Sequence, residues 1–589
     1  MQVTLGAHFS DPRRCFFRVW APFASTVELK TISPREKIIP LLDSGQGYFQ
    51  AEIEDIAAGT DYFYRLDHDK ERADPASRFQ PRGVHGPSRV VDSSFPWDDS
   101  CWFGFPLKDY IIYELHVGTF TPEGTFEAVI PHLSELKALG VTAIELMPVA
   151  QFPGARNWGY DCVFPFAVQD SYGGPQRLKQ LVNACHREGL AAVLDVVYNH
   201  LGPEGNYLAD FAPYFTERYR TPWGPALNFD GPESDHVRRF FIENALYWLI
   251  EFRFDGLRFD AVHAIAAPDW LDEMAAEVRA TIEPDRHVHL VLEHDGNAAS
   301  HLAGDFDAQW NDDGHHALHV LLTGEHDGYY ADYADDPAGR LARVLAEGFA
   351  YQGEPSRHRG GKPRGMPSRH LPPTAFVLFL QNHDQIGNRA LGERLTVLAN
   401  PAALEAAIAL VLLCPQIPLV FMGEEVASRS PFLFFTDHNK ELAAAVREGR
   451  RREFTSFASF LARQGDTLPD PNAIETFERS IPQPDSERGQ AREELYRKLL
   501  ALRRAELMPR LDGARALDAK AIGPAAVLAR WRMNDGAVLT LAANLGQAPV
   551  NAPPPAGRVL FESAAGAAKS LQAGSLAPRT TVALLEPAS

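Results

Sequence analysis

The sequence has little cysteine, no long apolar run and a shortage of positive charge. Its five cysteines, Cys15, Cys101, Cys162, Cys185 and Cys414, are scattered over 589 residues, odd in number and never spaced Cys-x-x-Cys. That excludes a disulfide framework and offers no zinc-binding pattern. The most apolar long stretch, Ala406 to Met422, is interrupted by Cys414-Pro415-Gln416 and by Pro418. It reads as a helix followed by a buried strand, not as the roughly 20 unbroken residues of a membrane span. Lysine and arginine number 57 against 77 aspartate and glutamate, a formal net charge of −20. A field of that sign repels phosphate, which argues against nucleic acid or an anionic membrane as partner. A neutral ligand is indifferent to it. Met1 to His8 show no charged segment leading into an apolar one, so a cytoplasmic protein is expected.

What is present is an ordinary globular composition. Hydrophobic residues make up 45% and charged residues 23%, which excludes a disordered or collagen-like chain. The length exceeds one core of usual size, so several domains are expected. From Leu5 to about Val91, short alternating runs (Cys15 to Trp20, Thr26 to Leu29, Tyr48 to Ile53, Tyr62 to Leu66) are separated by turn residues. This is the pattern of a small antiparallel sandwich, with its period-two aromatics in the core. Ala73 to Pro81, rich in turn formers, leads out of it.

From about Tyr110 strands alternate with helices. The strands are Ile111 to His116, Ala143 to Pro148, Leu190 to Val197, Gly256 to Asp260, His289 to Glu293, Ala308 to Trp310, Phe376 to Leu380 and Leu419 to Met422. Between the first two lies an amphipathic helix carrying Ile130, Leu133, Leu136 and Leu139 and closed by Gly140. Eight such units predict a (β/α)8 TIM barrel, enlarged by long loops at His200 to Ser234 and Glu325 to Pro373. Strand patterns return at Ala526 to Trp531, Ala537 to Asn544 and Thr581 to Leu585, and Ala564 to Ala577, rich in small residues, reads as loop. The expected division is an N-terminal β-sandwich over 1–95, the barrel over 96–511 and a C-terminal β-sandwich over 512–589.

Four strand ends carry polar clusters: Asp195 to His200, Arg258-Phe259-Asp260, Glu293-His294-Asp295 and Gln381 to Asp384. An Arg-x-Asp alone is as well explained by an ion pair closing a strand. Several carboxylates converging on one barrel mouth, however, are costly unless the site sets their proton affinities apart for use. An Asp and Glu pair suits glycoside chemistry. Asp260 would attack the anomeric carbon, and Glu293 would protonate the leaving oxygen and then deprotonate water. For retention of configuration the two carboxyls belong roughly 5–5.5 Å apart. Asp384, His200 and His383 would bind sugar hydroxyls more strongly in the transition state. No cofactor is needed.

These four clusters, in this order, resemble the signature regions of the α-amylase superfamily of retaining glycosidases and transglycosidases, over roughly Tyr110 to Leu511. The resemblance implies Asp260 as nucleophile, Glu293 as general acid and base, Asp384 as transition-state stabiliser, and Arg258, His200 and His383 as sugar-binding residues at the scissile side. Tyr160, in Asn157 to Asp161, is similar to the aromatic that stacks on that sugar. Asp161 and His263 join the expected substrate-binding set. Asn199 matches a position that holds calcium in many amylases, but no further ligands accompany it and no metal is expected.

Phe17 to Pro22 and Ala73-Asp74-Pro75 resemble the carbohydrate-binding-like domain that precedes the barrel in branching, debranching and trehalose-releasing members. His85 to Ser88, Gln309 to His319 and Phe434 to His438 look like the trehalose-releasing ones. The implied substrate is a maltooligosyltrehalose or related α-glucan, cut at the α-1,4 bond next to the terminal trehalose. His294 to Asn297, just after the acid, departs from the acidic, Asn-rich stretch of those relatives. Trp223, His315, His316, Asp437 and His438 are the expected walls of a trehalose pocket, and Trp310 is expected in the barrel core. The competing readings are a glycogen branching enzyme and, in another class, a non-catalytic glucan-binding protein on the same fold.

Overall fold

The computed structural model describes residues 4–11, 14–221, 223–455 and 468–588. At its centre eight parallel strands close into a barrel in chain order: Ile112–Leu115, Ala143–Leu146, Ala191–Val196, Gly256–Phe259, His289–Leu292, Ala308–Trp310, Phe376–Phe379 and Ile417–Phe421. These are the eight runs read from the sequence. Every residue in them is buried, because helices cover the outer face and side chains fill the inner one. The strands therefore read as continuous apolar runs, and a charged residue inside one has to point into the barrel.

The helices follow from the same covering. Gly174–Glu188 turns Leu178, Leu181, Val182 and Cys185 inward and stops at Gly189, which takes a left-handed φ of 70°. Pro401–Leu413 begins where Asn400 accepts hydrogen bonds from the Ala402 and Ala403 amides at 3.1 and 3.3 Å, with proline at the first helical position. It is buried on all sides from Ala406 onward because the C-terminal sheet lies over it, with Thr581 Oγ1 donating to the Ala406 carbonyl at 2.7 Å. That sheet has five antiparallel strands, Arg515–Gly523, Ala526–Arg532, Val538–Asn544, Thr580–Glu586 and Arg558–Glu562 in spatial order.

The N-terminal residues form two facing sheets with Phe17, Trp20, Tyr62 and Tyr64 buried. They dock on the helix Ser234–Ile250, where the Thr4 amide donates to Glu243 at 2.8 Å and Tyr48 Oη lies 2.9 Å from His236 Nδ1.

Three segments expected as loops carry structure of their own. In 564–577 the chain forms the helix Ala567–Gln572, whose start is capped by Glu562 accepting from the Gly566 and Ala568 amides, and Leu571 is fully buried. Small residues lie close to the sheet there, and one leucine anchors them. The loop after the third barrel strand holds the hairpin Phe215–Thr221 with Gly224–Leu227. The segment after the sixth holds the helix Pro337–Glu347, which buries Leu341, Val344 and Leu345. Among the described residues no helix is long and apolar enough to cross a membrane.

Candidate active site

The C-terminal strand ends gather the polar residues at one mouth. Parallel register sets Asp195 beside Arg258. The Arg258 guanidinium, wholly buried, donates from Nη1 to Asp195 Oδ2 at 2.7 Å and to Asp260 Oδ1 at 2.8 Å, and Nη2 lies 3.8 Å from Glu293 Oε2. It rests on the Trp310 ring, 4.2 Å from the centroid. Trp310 is barrel core, as its sequence position suggests, and is also a floor for the charge. Asn199 Nδ2 donates to the other oxygen of Asp260 at 2.8 Å. The Asp260 carboxylate is thus held from both sides.

Glu293 stands just past the fifth strand, with Oε2 accepting the Ala261 amide at 2.6 Å. Burial pushes its carboxyl up to about 8, against the pull of Arg258 and with the help of the Asp260 and Asp384 charges. It is held protonated at neutral pH, as a proton donor should be. Asp384 opens a short helix, His383–Gly387, capped by Asn382. One Asp384 oxygen accepts from Asn388 Nδ2 at 3.2 Å and the other lies 3.5 Å from His383 Nε2.

Beneath these groups runs a buried chain. His383 Nδ1 donates to Glu114, and its Nε2 lies 2.7 Å from Tyr160 Oη, which donates to Asp195 at 2.6 Å. Burial alone would lower His383, but Asp384 and Glu114 carry it to about 9, so the ring is a cation. Burial raises Asp195 to about 7, and it raises Glu145, whose two oxygens have no hydrogen-bond partner among the described residues, well above the carboxylate range. Glu114 and Glu145 are outside the expected set, although a carboxylate inside an apolar strand is a readable signal.

The other expected residues divide between two sides. On the Asp260 side, His200 is pulled low by burial and faces Asn199, and Trp223 stacks on its ring at 4.8 Å with an interplanar angle of 18°. Asp161 accepts from Asn157 at 2.6 Å and lies 3.4 Å from His438 Nε2, whose other nitrogen lies 3.4 Å from Glu204. Asp437 accepts the Ala155 amide and pairs with Arg156 at 2.7 Å.

On the Glu293 side is a cavity of about 200 Å³ whose walls include Asp384, Asp312, His316, Tyr329 and Arg359. Of the five expected pocket walls only His316 lines it. His315 is turned away, 2.5 Å from the Leu380 carbonyl, because one helical step rotates adjacent side chains to different faces. Trp223 lies on the opposite side, 47% exposed, and Asp437 and His438 tie loops together. His263 sits 3.6 Å from Asp295 at the rim. Tyr329, Tyr333, Arg359 and Arg364, which also line this cavity, all come from the long segment after the sixth strand.

Among the described residues no group of three His, Cys, Asp or Glu could hold a metal. The position that resembles a calcium ligand, Asn199, uses its amide nitrogen on Asp260 and its oxygen on His200.

A closed eight-stranded parallel barrel with two aspartates and a glutamate at its C-terminal mouth defines a glycoside hydrolase of the α-amylase class. Residues 87–223 match the family described as "Alpha amylase, catalytic domain", residues 4–77 "Carbohydrate-binding module 48 (Isoamylase N-terminal domain)", and residues 514–584 a domain of unknown function. A malto-oligosyltrehalose trehalohydrolase of Saccharolobus solfataricus is 46% identical over 446 residues, 74% of this chain and 78% of the relative. By that measure the chain belongs to the malto-oligosyltrehalose trehalohydrolase family. A crystal structure titled as a putative alpha amylase from Salmonella typhimurium superposes with a TM-score of 0.92 at 42% identity, covering 100% of both chains. A 1,4-alpha-glucan branching enzyme of Corynebacterium jeikeium is 30% identical over 294 residues, 45% of this chain and 41% of that one.

Proposed function

We propose that this chain hydrolyses the α-1,4-glucosidic bond next to the terminal trehalose of a maltooligosyltrehalose, releasing trehalose with retention of configuration. In the first step an Asp260 oxygen bonds to the anomeric carbon as the C–O bond to trehalose breaks, and the Glu293 proton passes to the departing oxygen. In the second, Glu293 takes a proton from water, whose oxygen replaces Asp260 at that carbon. Asp384, His383, His200 and Arg258 hold the sugar at the cleavage point, and the cavity beside Glu293 receives the departing disaccharide. The observation that supports this most is the single Arg258 guanidinium shared by Asp260 and Glu293 at 2.8 and 3.8 Å, with Glu293 kept protonated by burial. Five free cysteines, Cys15, Cys162, Cys185 and Cys414 of them buried, suit a reducing compartment, and we place the protein in the cytoplasm.

The test is to give the purified protein maltotriosyltrehalose, maltopentaose and amylose in separate reactions and to follow the products by chromatography. Free trehalose from the first, with little change in the others, is expected. New α-1,6 branches on amylose with no trehalose released would make it a branching enzyme.

A further inference from the structure

The consecutive residues Asn311, Asp312 and Asp313 follow the sixth barrel strand, and two of the three are committed to the fold. Asn311 caps the helix Asp312–Thr323 through the Gly314 amide and donates to the Gly348 carbonyl at 2.9 Å and to Gln416 at 3.2 Å. Asp313 is fully buried and saturated. Its Oδ2 accepts from Asn297 at 2.8 Å and from the Ala350 and Tyr351 amides at 2.7 and 3.0 Å, and its Oδ1 accepts from the Tyr333 hydroxyl and pairs with Arg364 at 2.9 Å. The Asp312 carboxyl, between them, has no hydrogen bond or ion pair with any described residue, and it lies in the wall of the cavity that also holds Glu293 and Asp384.

Its isolation is not for want of a cation nearby. Arg364 lines the same cavity, but its donors go to Asp313, to the Tyr333 hydroxyl at 2.6 Å and to the Asp295 carbonyl at 2.7 Å. A half-buried carboxyl without a partner is costly, and it is repaired when a ligand brings a hydroxyl to it. Burial first, and then its acidic neighbours Glu293 and Asp384 against the pull of Arg364, raise its proton affinity well above the usual carboxylate range.

We infer that Asp312 is a specificity-determining residue: its carboxyl accepts a hydroxyl of the leaving trehalose and so selects that disaccharide over the reducing end of an ordinary maltooligosaccharide. The inference rests on the proposed trehalose-releasing reaction. A site built around a substrate hydroxyl rejects a ligand that cannot supply it, because the polar group is then left unpaired. The α,α-1,1 link folds the second glucose back beside the first, whereas an α-1,4 link extends it. The first glucose is the same in both leaving groups, so the hydroxyl that Asp312 accepts to discriminate them is one of the second glucose, which the two linkages place differently.

The experiment compares wild type, Asp312→Ala and Asp312→Asn on maltotriosyltrehalose, on maltopentaose and on α-maltosyl fluoride, whose leaving group is no sugar. For Asp312→Ala, kcat/KM on maltotriosyltrehalose is expected to fall at least tenfold further than on the fluoride, and the preference for the trehalose-adjacent bond to drop by about the same factor. Asp312→Asn, which keeps an accepting oxygen of the same reach, is expected to recover part of that preference. Equal losses on all three substrates, or an unchanged preference, overturn the inference. A wild-type enzyme that releases no trehalose instead removes the reading on which it rests.

Discussion

The Ala261 backbone amide donates to Glu293 Oε2 across 2.6 Å, so the residue after the proposed nucleophile anchors the proposed acid. Ala261 does this at φ 40°, in the left-handed region, where β-branched side chains are strained. Ala261→Gly is expected to keep activity within about twofold, because glycine adopts that φ freely. Ala261→Val is expected to cost about tenfold in kcat, the equivalent of about 1.4 kcal/mol of misplacement at the acid. Steady-state rates with matched thermal melts check both.

Asp260→Ala and Glu293→Gln are each expected to lower turnover of maltotriosyltrehalose by at least about a hundredfold with the fold intact. On α-maltosyl fluoride the Glu293→Gln variant should still form the first intermediate, since fluoride leaves without protonation, and should release it slowly. Intact-protein mass spectrometry then shows one added maltosyl group, and peptide mapping places it on Asp260. A label on any other carboxylate would reassign the nucleophile.

The raised Glu293 carboxyl sets a pH dependence of known sign. Donation needs the protonated form, so kcat/KM should fall on the alkaline side with a midpoint near pH 8. In the unfolded chain the same group ionises near its ordinary value. Between that value and about 8 the folded state therefore binds more proton than the unfolded state, and this residue's contribution to stability is lost as pH rises. Glu293→Gln cannot ionise and lacks that loss. Its melting temperature should gain on the wild type from pH 5 to pH 8, and a constant difference would contradict the raised value.

Trp223 covers His200 on the Asp260 side, away from the cavity proposed to receive the leaving group. Trp223→Ala is expected to lower kcat/KM on maltotriosyltrehalose about tenfold, within the about 0.5–1.5 kcal/mol that an aromatic contact contributes. The ratio of trehalose-adjacent to ordinary cleavage should stay within about twofold. A changed ratio in product analysis would place the tryptophan against the leaving disaccharide after all.

The barrel and its carboxylates were legible because burial on both faces leaves a strong trace: eight apolar runs, with an acid or amide where each relevant run stops. Glu114 and Glu145 left a trace as well, as lone carboxylates inside such runs, but not one that says what they face. The cavity beside Glu293 was not legible. Tyr329, Arg359 and Arg364 are placed by distant partners, as when Arg364 reaches the Asp295 carbonyl and Asp313, and no local periodicity encodes a bond across tens of residues. His315 and His316 show the limit in one step: adjacent on one helix, the first bonds the backbone of the seventh strand's end and the second faces the cavity. Trp223 sits on a hairpin whose direction depends on strand register, which composition does not reveal.

The crowding of Asp260 against Glu293 has a consequence for timing. While Asp260 is free, its negative charge helps to hold the proton on Glu293. Once Asp260 is esterified to sugar in the proposed mechanism, that charge is gone, and Arg258, no longer shared with an anionic Asp260, acts more fully on Glu293. The proton then leaves more readily, just when Glu293 has to become a base. When water regenerates Asp260, the charge returns and the proton affinity rises again. In that mechanism the acid is reset with each turnover by the returning charge of its neighbour, added to the burial and the Asp384 charge that keep its proton affinity high.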